Sequence, residues 1–362
     1  MVLTPGATHY RPIDWDGAYA LIAEHLNGLA SPDEAVFYTS GRTSNEAAFL
    51  YQLMIRSYGT NNMPDCSNMC HESSGSALTE SIGIGKGSVT VPDLENADLI
   101  LIAGQNPPGT NHPRMLSTLE KAKSNGAKII AINPLPEAGL RRFKDPQKVS
   151  GVIGHGVDIA DEFLQIRLGG DMALFQGLGG KLLLEQEDRA PGTVVDRAFV
   201  DRYCAGWDEY EKHIRAVDLD TVLEATGLSM AQLEETAAAL ARSERTVTCW
   251  AMGGITQHTH GVATIEEAVN LLLMRGMMGK PGAGVCPVRG HSNVQGDRTM
   301  GIWEKMPEEF LAALDTEFSI SSPPQARMGH RRRDPRHERR QGKLLHGDGR
   351  QLHPGKPGHR SD

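Results

Sequence analysis

The run Leu99-Ile-Leu-Ile-Ala103 constrains the fold most tightly. Five consecutive apolar residues without polar alternation suit a strand covered on both faces, as in a parallel sheet. A helical segment over Arg114 to Ser124 follows and stops at Asn125-Gly126, and Lys128-Ile-Ile-Ala-Ile132 is the next strand. Strand, helix, strand with short links predicts an α/β fold: doubly wound, mostly parallel sheets with flanking helices. Upstream, Ala35 to Thr39 reads as a short apolar strand. Thr43-Ser-Asn-Glu46 reads as a capping box for a helix burying Phe49, Leu50, Leu53 and Met54. Residues 157–243 read as mostly helical: Phe175, Leu178 and Leu182 share one helix face, and Ser229-Met-Ala-Gln232 caps another helix. Thr246 to Ala251 returns to a strand, and Thr264-Ile-Glu-Glu267 caps a helix running to Arg275. No internal repeat is present.

The chain of 362 residues has room for two domains, and its 39% hydrophobic and 23% charged residues are ordinary for a globular protein. No apolar run reaches a membrane span, and the start Met-Val-Leu-Thr-Pro-Gly lacks a signal-peptide pattern. Five scattered cysteines do not make a disulfide framework. The expectation is a cytoplasmic protein with reduced thiols and no membrane partner. The net charge of −8 is uneven. From Arg327 to Asp362 nine Arg and two Lys stand against four acidic residues, so this stretch carries +7 and the remainder −15. With so few apolar residues it cannot fold by burial. Residues 325–362 therefore read as a disordered basic tail or as the product of a shifted reading frame. The tail lacks aromatic residues for stacking, which argues against nucleic acid as a partner.

Chemistry concentrates in loops. Cys70 and His71 adjoin in a Gly/Ser-rich stretch after Gly59-Thr60-Asn61-Asn62; a soft thiolate beside an imidazole suits a transition metal or nucleophilic chemistry. Gly104-Gln-Asn-Pro-Pro-Gly-Thr-Asn-His-Pro113 joins a strand to a helix, where an α/β sheet places ligands. Asn133 ends the next strand, Asp171 follows Leu168-Gly-Gly, and Met252-Gly-Gly follows the Trp250 strand. None is a GxGxxG or P-loop motif, and each alone is an ordinary βα turn; together they point to a nucleotide-like ligand. Residues 279–296 are too rich in Gly and Pro for regular structure, yet hold Arg289, His291, Asn293 and Gln295, as a ligand-wrapping loop does. Cys204 and Cys249 read as small buried hydrophobes, His258 and His260 as loop hydrogen-bonders, Met274 to Met278 as core, and Arg141-Arg142 as a solvated patch.

Gly104-x-Asn106, Asp171 after a Gly-rich turn, Trp250-x-Met-Gly and Arg289-Gly-x-x-Asn-Val-Gln-Gly296, in this order, resemble the molybdopterin oxidoreductases of the dimethyl sulfoxide reductase superfamily. Within it the formate-dehydrogenase-like alpha subunits are most similar, over about Tyr10 to Phe310. The resemblance implies a molybdenum bis(molybdopterin guanine dinucleotide) cofactor and two-electron oxidation of formate or a similar small anion. It implies Cys70 as the metal ligand, His71 as a proton acceptor near the metal, and Arg289 as the residue orienting the anion. It places Gly104, Asn106, Asn133, Asp171, Met252, Gly253 and Gln295 on or beside positions that hold the dinucleotides, with Thr110 near another. An electron-transfer partner is implied but not identified. The residue types suit these roles: a thiolate is a soft donor, a guanidinium forks onto a carboxylate, and an imidazole relays protons.

Departures accompany the matches. The family's N-terminal cysteines for a 4Fe-4S cluster and its C-terminal half lack counterparts, and Cys66-x3-Cys70 cannot supply four thiolates. Asn133 stands where the family usually has a guanine-facing Asp, and Glu72 where formate dehydrogenases tend to have Gly. The expected organisation is a catalytic region over residues 1–324, divisible into 1–65 with 292–324 and 66–291, followed by the tail. Such a fragment alone is expected to be inactive. Two other readings compete: a zinc hydrolase using Cys66, Cys70 and His71 with His258 or His260, and a non-catalytic truncated paralogue serving as a binding or regulatory partner.

Overall fold

The computed structural model describes residues 1–64, 66, 70–107, 113–303, 306–323 and 346–347. The basic tail and Thr110 fall outside these, apart from His346–Gly347. The chain divides into two compact units, Met1–Met69 with His291–Arg333, and Cys70–Gly290 with Asp334–Asp362.

The second unit is built on five parallel strands: β1 (Leu99–Ala103), β2 (Lys128–Asn133), β3 (Glu162–Gln165), β5 (Thr246–Ala251) and β6 (Gly284–Val288). The remaining described strands, β4 (Cys204–Ala205) and β7 (His346–Gly347), pair antiparallel by themselves. The sheet order is β3-β2-β1-β5-β6. Strand order thus runs one way from β1 through β2 to β3 and the other way through β5 to β6, the doubly wound arrangement.

The sheet's centre follows from side-chain alternation. Leu99, Leu101 and Ala103 of β1 join one apolar cluster, with Ile130, Ile132 and Trp250; Ile100 and Ile102 join the other, with Ile129, Ala131, Val247 and Cys249. All five β1 residues are buried, as the uninterrupted apolar run demands. Each such side chain contributes about 2 kcal/mol by leaving water. The helix Gly261–Met274 packs against the helices Glu72–Ile82 and Asp171–Glu187, and is buried nearly all round.

Several local expectations shift. The helix Gly261–Met274 starts a turn before Thr264, whose hydroxyl donates to His260 O (2.9 Å) instead of capping an N-terminus. The strand β3 was hidden because four residues, Glu-Phe-Leu-Gln, give too little period to read. Within the Gly/Pro-rich segment, Gly284–Val288 does form a strand; Pro287 is tolerated because β6 ends the sheet and bonds only to β5. At Ser229 the capping box forms as expected, with Gln232 reciprocating.

In the first unit the helix Asn45–Tyr58 is capped by Ser44, whose hydroxyl accepts from Ala47 N–H (3.3 Å), rather than by Thr43. It buries Ala48, Gln52, Ile55 and Arg56, while Leu50 and Met54 are exposed, so the expected apolar face is corrected by about two fifths of a turn. A polar contact decides this. The Arg56 guanidinium donates to Gly301 O (2.9 Å) and Trp303 O (3.1 Å) and to Gln52 Oε1, and burial lowers its pKa to about 10. Ala35 to Tyr38 forms no described strand; Phe37 N–H donates to Asn62 O (2.9 Å), and Asn62 Nδ2 donates to Ala35 O (3.2 Å).

Candidate active site

Cys70 lies at the turn entering the helix Glu72–Ile82, with His71 as its N-cap residue. The Cys70 side chain is buried. The turn is anchored to the segment after β5: Thr256 Oγ1 donates to Cys70 O (2.9 Å), and Ser73 Oγ donates to Thr256 O (2.8 Å).

His71 is almost fully buried, and its hydrogen bonds define its tautomer. Nε2 lies 3.0 Å from Val288 O, which can only accept, so Nε2 carries a proton. Nδ1 lies 3.0 Å from Ser74 Oγ, and Trp250 Nε1, which can only donate, lies 2.9 Å from the same oxygen. Ser74 accepts from the indole and, when the imidazole is neutral, donates its own hydrogen to Nδ1, so both ring nitrogens are engaged. Through Val288 this chain reaches Arg289, the next residue, which is half-buried and donates to Gly85 O (3.3 Å).

The second part of the site is the crevice at the carboxyl ends of β1 and β5, where strand order reverses. Gly104 has φ +60°, and a Cβ there would collide with Gly254 Cα; one on Gly254 would collide with Gly104. Two bare backbones therefore meet at the switch point, the place where α/β sheets receive ligands. Gly253 faces open space and Met252 is partly exposed. Asn133, buried at the end of β2, donates to Gln105 O (3.1 Å), and Asn106 Nδ2 donates to Glu137 Oε2 (2.8 Å). Gln105 Oε1 is buried without a hydrogen-bond partner among the described residues.

Asp171 opens the helix Asp171–Glu187 and lines a cleft of about 170 Å³ with Gly169, Met172, Ile255, His258, His260 and Thr264. Burial raises its pKa to about 6, against its own backbone N–H and His258, which favour the carboxylate. His258 and His260 thus line the cleft beside Asp171, a role their loop position concealed. Gly254 and Glu137 were also not singled out; only the doubled glycine after Met252 hinted at the first. Gln295 is exposed on the first unit, and Thr110 lies outside the described residues. Among the described residues no group of three or more His, Cys, Asp or Glu could hold a metal ion, so a zinc site of the hydrolase type finds no support. Among the described residues no helix is long and apolar enough to cross a membrane.

A doubly wound sheet whose switch point is bare glycine backbone leaves the main chain open to close approach by a ligand. The sequence model of molybdopterin oxidoreductases matches residues 6–313, and the chain belongs to that family. It is 76% identical over 323 residues to an uncharacterised oxidoreductase of Mycobacterium tuberculosis, covering 89% of this chain and 41% of that protein. It is 48% identical to protein YdeP of Escherichia coli (87% and 42%) and 32% identical to formate dehydrogenase H of Escherichia coli (80% and 38%). The chain thus spans about two fifths of the curated relatives it matches. Acetylene hydratase from Pelobacter acetylenicus shares the fold with a TM-score of 0.60 at 21% identity, over 78% of this chain and 35% of that one.

Proposed function

We propose that this chain is the central part of a molybdenum bis(molybdopterin guanine dinucleotide) enzyme that oxidises formate or a similar small anion by two electrons. One observation carries the reading: the bond from His71 to Val288 ties the Cys70 turn to the residue preceding Arg289, so thiol, imidazole and guanidinium share one short stretch of structure. The residues also fit the cofactor. The glycine backbones of the switch point admit a phosphate-bearing ligand closely. Gln105 Oε1 and the Asp171 carboxyl are buried acceptors for N–H donors of a base.

The bound cofactor supplies the two-electron redox chemistry. Cys70 would ligate its metal through the thiolate. Arg289 would hold an anionic substrate in its planar fork. His71 would take a proton at Nδ1, which requires the Ser74 hydroxyl to turn its hydrogen away; Ser74 then accepts from both the imidazolium and Trp250. Gly104, Asn106, Asn133, Asp171, Met252 and Gly253 would hold the dinucleotides, with Gln295 and Thr110 completing the set. A 4Fe-4S cluster, for which this chain carries no ligand set, and an electron acceptor would belong to the full-length protein.

The test is metal and pterin analysis of the full-length protein, followed by formate turnover. About one molybdenum or tungsten per chain is expected, with Cys70→Ala abolishing turnover and Arg289→Leu raising KM for formate more than tenfold. Unchanged turnover in Cys70→Ala would remove the ligand role. A protein without metal or pterin would favour a binding or regulatory role.

A further inference from the structure

Two thiols that the proposed chemistry leaves unused stand side by side in the sheet. Cys249 of β5 and Cys286 of β6 are register partners on parallel strands, and both pack into the same apolar cluster, so their side chains leave the same face. Neighbouring strands lie about 4.8 Å apart. That spacing falls within the roughly 4.4–6.8 Å between Cα atoms that a disulfide spans. Both thiols are free.

The two are not equivalent. Cys249 is fully buried at the sheet interior, whereas Cys286 lies on the terminal strand and is partly exposed. The neighbouring Cys286 thiol and burial raise the pKa of Cys249, while the neighbouring Cys249 thiol lowers that of Cys286 against its own burial. Cys286 is thus the accessible nucleophile and Cys249 the resolving thiol. Cys204, by contrast, has its thiol pushed up to about 12 by burial.

We infer that Cys249 and Cys286 are a reversible oxidation site, forming a disulfide on exchange with a low-molecular-weight disulfide. The Cys286 thiolate attacks one sulfur of the small disulfide and releases one thiol. Cys249 then attacks the mixed disulfide and releases the second. Two protein thiols are oxidised, one small disulfide is reduced to two thiols, and both protons leave on them. Cys249 stands three residues before Met252, and Cys286 three before Arg289. A bond between them fixes the roots of both loops at the end of the sheet.

The test incubates the native protein with glutathione disulfide and glutathione at graded ratios. It is followed by acid quench, alkylation, and peptide mapping without reduction. Expected is a cross-linked peptide joining Cys249 to Cys286, roughly 2 Da lighter than the two reduced peptides, appearing with loss of two titratable thiols and reversed by dithiothreitol. Cys249→Ser should stop at a glutathione adduct on Cys286, and Cys286→Ser should leave Cys249 unmodified. Oxidation confined to other cysteines, or both thiols still reduced at the most oxidising ratio, overturns the inference. The wild-type map decides this even if a serine variant fails to fold, and independently of metal content or turnover.

Discussion

Glu266 offers a quantitative test of the packing between two helices. It is fully buried on the helix Gly261–Met274, and its pKa is raised to about 8, first by desolvation, then by Glu80 of the helix Glu72–Ile82 and by Glu267. Between the ordinary value of 4.5 and about 8 the folded state holds a proton that the unfolded state releases. Stability from this group is therefore complete below about pH 4.5 and is lost progressively up to about pH 8. At pH 7 the loss is about 3 kcal/mol, from 1.4 kcal/mol per pH unit, and the plateau above pH 8 is about 5 kcal/mol. Glu266→Gln keeps the shape and cannot ionise. It should leave stability unchanged at pH 4, add about 3 kcal/mol at pH 7, and add more at pH 9. Urea unfolding of both proteins across that range, followed by far-ultraviolet circular dichroism, reads it directly. A difference independent of pH, or a destabilised variant at pH 7, refutes a neutral Glu266.

Gly104→Ala forces a methyl into Gly254 and a left-handed φ on alanine; unfolding should cost about 2–4 kcal/mol, and the pterin content of the full-length protein should fall. Ser74→Ala removes the partner of Trp250 Nε1 and His71 Nδ1, and should cost about 1–3 kcal/mol in thermal or urea unfolding; Ser74→Thr should recover part of it. Asp171→Asn abolishes the cost of a buried carboxylate. Because the folded pKa of about 6 exceeds 3.8, that cost appears above pH 3.8 and saturates above pH 6. The variant without cofactor should gain up to about 3 kcal/mol at pH 8 and nothing at pH 3.5, while retaining less pterin.

The α/β class was legible because β1 and β2 are buried on both faces, which leaves an uninterrupted apolar signature. Weak elements hid where the signal was short or mixed: β3 has four residues, and β6 contains a proline that only its edge position permits. The buried face of Asn45–Tyr58 was misjudged because Arg56, a charged residue by type, finds carbonyl partners 245 and 247 positions away. No local pattern reports such contacts. In the site, Asp171, Gly104 and Met252-Gly253 stood out as residues at predicted strand and helix ends. The Ser74–His71–Val288 chain did not, because Ser74 is an ordinary helix serine until Trp250, 176 residues later, is placed against it.

The placement of the indoles makes the chain its own optical reporter. Trp15, 76% exposed on the helix Trp15–Asn27, belongs to the first unit, and Trp250, fully buried with its N–H bonded to Ser74, to the second. A water-soluble quencher such as iodide reaches the first and spares the second, so the melting of each unit can be followed in one sample. Because Ser74 also bonds His71, a proton arriving on that imidazole reorients the dipole against the Trp250 ring and shifts its emission.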